Sequence, residues 1–211
     1  MTTLAVLAKA PVPGRAKTRL CPPCTPGEAA RVADAALRDT LDVARSTVAD
    51  RVVLVLDGGP LADADPTLEV IAQRGVGLGE RLAAAFADIG GPVLLIGMDT
   101  PQVTTQVLDG ALGQVDAATP VLGSAFDGGW WALGLPVCPA DAFLGVPMST
   151  ATTARRQRDR LRSCGLVPAP LPVLRDVDHW SDALLVAAEA PAGRFARAVD
   201  AIERQCHRVA P

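Results

Sequence analysis

Short unbroken runs of Val, Leu and Ile recur along the chain, each followed by a turn rich in glycine or proline and, in most cases, by a stretch of helical period. The runs predict strands over residues 3–8, 51–56, 67–72, 92–97, 120–123, 130–135 and 173–178. A run such as Val93-Leu94-Leu95-Ile96 has no polar alternation, which marks a strand buried on both faces. The intervening periodicity predicts helices over 26–46, 79–88, 104–115, 149–163, 181–189 and 194–208. The first is the best signalled. Ala29, Val32, Ala33, Ala36, Leu37 and Leu41 repeat at helical spacing, Thr25 is placed as N-cap, Pro26 at the first helical position and Glu28 in a capping box. Strands alternating with helices predict an α/β domain around a mostly parallel sheet. With 211 residues, no internal repeat and no linker, one domain over 1–211 is expected.

In such sheets ligands collect beyond the carboxyl ends of the strands. The segment after the first strand, Lys9-Ala10-Pro11-Val12-Pro13-Gly14-Arg15-Ala16-Lys17-Thr18-Arg19-Leu20, holds four cations (Lys9, Arg15, Lys17 and Arg19) in a protein of net charge −3. The first acid is Glu28. A local basic loop on an acidic protein points to a small anionic ligand rather than a long nucleic acid. Pro11, Pro13 and Gly14 fit a fixed bend that aims Arg15, Lys17 and Arg19. Carboxylates follow the other predicted strands: Asp99 in Gly97-Met98-Asp99-Thr100-Pro101, Asp127 in Asp127-Gly128-Gly129-Trp130-Trp131, and the pair Asp176-Val177-Asp178.

Opposed cations and carboxylates have a simple joint use. The acids hold a divalent metal, and metal and cations together hold a phosphate chain. In a strand, Asp176 and Asp178 would share a face, where two like charges repel unless a cation joins them. Each residue also has a plainer reading. Asp99 can be a turn former, the Asp176/Asp178 pair a solvated strand end, and Lys9 a cap on the strand exit. Gly75, Gly77 and Gly79, ahead of a helix that carries Glu80 and Arg81, can admit a nucleobase or ribose or can form an ordinary turn. Ser149 reads as a helix N-cap.

Other chemistries lack their residues. There is no Gly-x-Ser-x-Gly, no Cys/His pair and no Walker lysine motif, and His179 and His207 are the only histidines. Cys21-Pro-Pro-Cys24 has the spacing of a metal or redox pair, but no second pair completes a tetrahedral site. Arg155, Arg156, Arg158, Arg160 and Arg162 crowd one predicted helix and read as a solvated surface, since aromatics make up only 3% of the chain and offer nucleic acid little to stack on. No run approaches a membrane span, Met1-Thr2-Thr3 lacks the charges of a signal peptide, and the cytoplasm is expected.

The opening stretch resembles the AKxPxPGxxKTRL start of a bacterial family of uncharacterised proteins, DUF2064, described as glycosyltransferase-A-type transferases. Gly77-Leu78-Gly79-Glu80-Arg81-Leu82, Gly97-Met98-Asp99-Thr100-Pro101, Asp127-Gly128-Gly129-Trp130-Trp131, Ser149-Thr150 and Asp176-Val177-Asp178 match in order. The family is similar to phospholactate guanylyltransferase. The resemblance implies a GT-A (nucleotide-diphospho-sugar transferase-like) three-layer α/β/α sandwich with a Mg²⁺ or Mn²⁺ site. It makes Asp99 the acid nearest the DxD-type metal position, Asp176 and Asp178 the second acidic motif, and Asp127 part of the DGG loop. His179-Trp180 and Trp130-Trp131 depart from the pattern, and the large indoles bear on any acceptor pocket.

The expectation is therefore a metal-dependent transferase with a nucleotide donor and a small-molecule acceptor, and no nucleic-acid or membrane partner. Asp99, Asp176 and Asp178 are the candidate metal ligands. Lys9, Gly14, Arg15, Lys17, Arg19, Gly79 and Arg81 are candidates for nucleotide and phosphate, and Lys17, Arg19 and Asp127 for catalysis. Glycosyl transfer from an NDP-sugar, nucleotidyl transfer with pyrophosphate release, and nucleotide binding without turnover all fit these residues.

Overall fold

The computed structural model describes residues 1–61 and 65–209. Seven strands, β1 Thr3–Lys9, β2 Arg51–Asp57, β3 Glu69–Ala72, β4 Val93–Gly97, β5 Val121–Ser124, β6 Trp130–Leu135 and β7 Ala169–Pro170, form one sheet in the order β3-β2-β1-β4-β6-β5-β7. All neighbours are parallel except β6, which runs antiparallel to β4 and β5. The exception has a local cause. Only the Ala125–Gly129 turn separates β5 from β6, and so short a connection can join only antiparallel strands.

The helices are α1 Pro26–Arg45, α2 Leu78–Ile89, α3 Thr105–Asp116, α4 Thr153–Ser163, α5 Trp180–Glu189 and α6 Arg194–Val209. Alternate strand residues feed opposite cores. Leu4, Val6, Leu54 and Ile96 pack with Leu37 and Leu41 of α1 and Leu108 and Leu112 of α3. Ala5, Val53, Val55 and Leu95 pack on the other face with Leu82 and Phe86 of α2 and Leu161 of α4. The sheet is thus sandwiched between helical layers, as expected. A third cluster joins the outer side of α1 (Val32, Ala36) to Val186 of α5 and to Phe195 and Val199 of α6. At the start of α1, Thr25 and Glu28 form the reciprocal capping box that the sequence predicts.

Several predicted boundaries move. Residues 173–178 are not a strand. The edge strand is the two-residue β7, followed by a single bridge from Leu174 to Ala125. Pro168, Pro170 and Pro172 have no N–H to give, so the donors along β5 are Ala169 (to Pro120 O, 2.8 Å) and Leu171 (to Leu122 O, 3.0 Å), which stand between them, and Leu174 beyond (to Ser124 O, 3.3 Å). Asp176 and Asp178 lie in the coil between β7 and α5. The helix expected from residue 149 begins at Thr153, and Ser149 is not its N-cap. Its φ of +57° is left-handed, while the Thr153 hydroxyl donates to Pro147 O (2.8 Å) and accepts from the Thr150 N–H (3.0 Å). β3 starts at Glu69 because Asp65 accepts both the backbone N–H (2.8 Å) and the hydroxyl (2.7 Å) of Thr67 in a turn. Among the described residues no helix is long and apolar enough to cross a membrane.

Candidate active site

From β1 the chain winds outward through β2 to β3, then returns past β1 to β4 on the other side. The carboxyl ends of β1 and β4 therefore flank a reversal of winding, where open α/β sheets leave a crevice. A cavity of about 630 Å³ lies there. Lys9, Lys17, Arg19, Arg81, Asp99, Asp127, Asp176 and Asp178 all line it; Gly14, Arg15 and Gly79 do not. Gly79 lies under the loop before α4, 3.6 Å from Met148 and 3.8 Å from the Phe143 carbonyl by its absent Cβ.

The opening loop and the acids are in contact rather than opposed across a gap. Lys17 has left-handed backbone (φ 49°) and its side chain is only 10% exposed. Its ammonium stands 2.7 Å from Asp99 Oδ1 and donates to the Val177 carbonyl. The Val177 N–H returns to the Asp99 carbonyl at 2.8 Å. The loop after β1, the loop after β4 and the segment before α5 are thus clamped together. Arg19 pairs with Asp178 beside this clamp. Lys17 and Ser149 are two of the three non-glycine residues at positive φ among the described residues, and both line the cavity. Local strain of this kind persists where surrounding structure imposes it.

Asp127 is exposed and fixed by an N–H from Gly129 (2.7 Å). Asp176 is the carboxylate under stress. Burial, and then the Asp127 and Asp178 carboxylates, push it up to about 6 from the ordinary 3.8. Asp99 and Asp178 each have a cation; among the described residues Asp176 has no ion-pair partner. Among the described residues no three Asp, Glu, His or Cys side chains gather closely enough to hold one ion. In donor chemistry the acids still suit a hard divalent cation, because Asp176 sits in surroundings that disfavour its negative charge. Asp99 and Asp178 would exchange Lys17 and Arg19 for that ion, whereas Asp176 has nothing to exchange.

At the cavity's other end Arg81 pairs with Asp57 at 2.7 Å, near Gln73. Asp57 ends β2 and Gln73 follows β3, so both obey the rule of looking just past each strand, yet neither is among the candidates read from the sequence. Trp130 also lines the cavity, its indole N–H without a partner among the described residues. Trp131 instead enters the core and donates to Pro172 O (2.9 Å), over Gly123, where a Cβ would stand 2.5 Å from its ring. His179 is exposed and its N–H donates to Asp182 at the start of α5 (2.9 Å). Arg155, Arg156 and Arg162 are exposed, Arg160 pairs with Asp141, and none of the five arginines lines the cavity. Cys24 is a free thiol pushed up to about 11, mainly by burial, which leaves that thiol poorly nucleophilic.

Residues 39–150 match the model of DUF2064, an uncharacterized protein family conserved in bacteria. The match excludes both the opening loop and Asp176-Val177-Asp178. No curated protein matches the chain. A provisionally assigned nucleotide-diphospho-sugar transferase from Desulfovibrio desulfuricans G20 is 27% identical with a TM-score of 0.83, and 97% of each chain is covered. Rv0371c from Mycobacterium tuberculosis H37Rv, solved as a manganese complex, is 23% identical with a TM-score of 0.57 over 88% of this chain and 96% of its own. CMP:2-keto-3-deoxy-manno-octonic acid synthetase complexed with CTP is 13% identical with a TM-score of 0.53, covering 90% of this chain and 97% of its own. These last two share the fold.

Proposed function

This chain belongs to the DUF2064 family of bacterial proteins, and we propose that it is a transferase with a nucleotide-activated donor, passing the glycosyl group of an NDP-sugar to a small acceptor. The carrying observation is the clamp of Lys17, Asp99 and Val177, with Arg19 and Asp178 beside it, inside one cavity at the winding reversal. The likeness to the Desulfovibrio protein supports the donor class.

Mg²⁺ or Mn²⁺, held by Asp99, Asp176 and Asp178, would supply positive charge to the donor's diphosphate. Lys17 and Arg19 stand at that same point and stabilise the charge that grows on the leaving diphosphate. Asp127, held by Gly129, takes the proton of the acceptor hydroxyl. The hydroxyl oxygen bonds to the anomeric carbon as the bond from that carbon to the diphosphate oxygen breaks, and the nucleoside diphosphate leaves with the electron pair. Lys9, which lines the same cavity, is assigned to the phosphate farther from the nucleoside. Five unpaired cysteines fit action in the cytoplasm.

The shielded ammonium of Lys17 favours a second reading, nucleotidyl transfer, in which an acceptor phosphate attacks the α-phosphorus of an NTP and pyrophosphate leaves. Product analysis separates the two. With Mn²⁺ and a panel of NDP-sugars and NTPs, the first reading predicts nucleoside diphosphate release from a sugar donor, and Asp127→Asn should slow it about 100-fold with little change in donor affinity. Pyrophosphate release from an NTP establishes the second reading. No release from either class of donor contradicts both.

A further inference from the structure

Residues 174–178 carry two of the acids that line the cavity, yet they belong to no helix and no named strand. Leu174 is bonded to the sheet edge: its N–H donates to Ser124 O (3.3 Å) and its carbonyl accepts from the Phe126 N–H (3.1 Å). Val177 is 1% exposed and packs in the cluster of α1, α5 and α6, while Asp176 and Asp178 on either side line the cavity. Between Leu174 and Val177 the backbone is hydrogen-bonded to the rest of the protein at one point among the described residues. The Arg175 carbonyl accepts from Gln102 Nε2 at 2.7 Å.

A peptide unit is planar and carries the α-carbons on both sides of it. The unit from Arg175 to Asp176 is pinned through its carbonyl by Gln102, and the unit from Asp176 to Val177 is pinned through its N–H by the Asp99 carbonyl at 2.8 Å. Both planes that meet at the Asp176 α-carbon are thus bonded, and together they set the direction in which its side chain leaves the backbone. Both bonds come from one loop, the turn after β4, which the Val103 N–H closes on the Thr100 carbonyl (3.0 Å). The loop that supplies Asp99 therefore also orients Asp176. Among the described residues no ion pair holds the Asp176 carboxylate, so its place depends on its backbone.

Gln102 itself does not line the cavity. The orientation of its amide is fixed, since the Arg175 carbonyl can only accept and must meet the nitrogen. Its Oε1 is buried and has no partner among the described residues. One hydrogen bond set against a desolvated amide oxygen contributes little net stability. What the side chain contributes is placement.

We propose that Gln102 is a positioning residue for the divalent ion assigned above to Asp99, Asp176 and Asp178: it keeps the Asp176 carboxylate turned to the cavity that the other two acids line. The inference rests on the metal-and-nucleotide reading of the site. Groups that orient a metal's ligands without touching the ion change its affinity about tenfold or more when they are removed.

The test is calorimetric titration of UDP and of GDP into purified wild type, Gln102→Leu and Gln102→Glu, each with and without Mn²⁺. The readout is the factor by which Mn²⁺ tightens nucleotide binding, at least about tenfold in wild type. Gln102→Leu removes the donor; Gln102→Glu keeps the shape but sets an acceptor against the Arg175 carbonyl. Each should cut the factor to about threefold or less, with metal-free affinity within about twofold of wild type. A bond with a structural role alone would lower the melting temperature and leave the factor intact, and that result in either folded variant overturns the inference while the metal reading stands. Failure of both variants to fold overturns it as well. No binding, or no gain from Mn²⁺, in wild type overturns the reading beneath it too.

Discussion

Asp176 is a carboxylate that the fold holds against its own charge. Burial and two neighbouring acids raise its pKa from 3.8 to about 6, so the folded state binds its proton more tightly than the unfolded chain does. The contribution to stability is therefore fully present below the unfolded value and lost as pH rises through the folded one. Asp176→Asn should match wild type near pH 3.5 and be more stable by about 1–2 kcal/mol at pH 7, after discounting for partial exposure. Urea unfolding at the two pH values checks both the sign and the size. At this scale the sequence exposed Asp99, Asp127, Asp176 and Asp178 because each follows an apolar run. It could not show that Lys17 touches Asp99, since only the sheet brings them together. Asp57 went unnoticed because Asp-Gly-Gly-Pro is also strong turn chemistry.

Among the elements, α6 is attached by an interaction that leaves little trace in the sequence. Asp39, in the middle of α1 and only 12% exposed, accepts the N–H groups of Arg194 (3.1 Å) and Phe195 (2.8 Å) and pairs with the Arg194 side chain (3.2 Å). An acid from one helix thus caps the start of another. Gly193 permits the approach, since a Cβ there would stand 2.5 Å from Asp39 Oδ2. Asp39→Ala should cost about 1–2 kcal/mol, read as a lower urea midpoint, and amide exchange in α6 should rise ahead of exchange in the sheet. Helix α1 was legible because its cap, first-turn proline and apolar face agree. The segment after residue 167 was not, because alternate residues are prolines and the hydrogen bonds to β5 come from Ala169 and Leu171 between them. The start of α4 was obscured by a run of hydroxyl residues, any of which reads as a cap; the N-cap position falls to Thr152, whose side chain makes no capping bond.

For the whole molecule, strand order does what no motif can. It carries the basic loop of β1 and the acid of β4 to one crevice and brings β7 around to add two more acids. The α/β class and the mostly parallel sheet follow from the alternation of apolar runs with helical periods. The order β3-β2-β1-β4-β6-β5-β7, and with it the separation of a charged end from the Asp57–Arg81 end, does not, because hydrophobic patterning is blind to which strands become neighbours. The central claim is that the charged end holds a nucleotide's phosphates together with a divalent ion. Calorimetric titration of UDP and GDP, with and without Mn²⁺, into wild type and Asp178→Ala tests it most directly. The account predicts that Mn²⁺ tightens wild-type binding at least about tenfold and that the variant loses this gain. Equal affinity with and without the metal, or a gain that survives in Asp178→Ala, would contradict it.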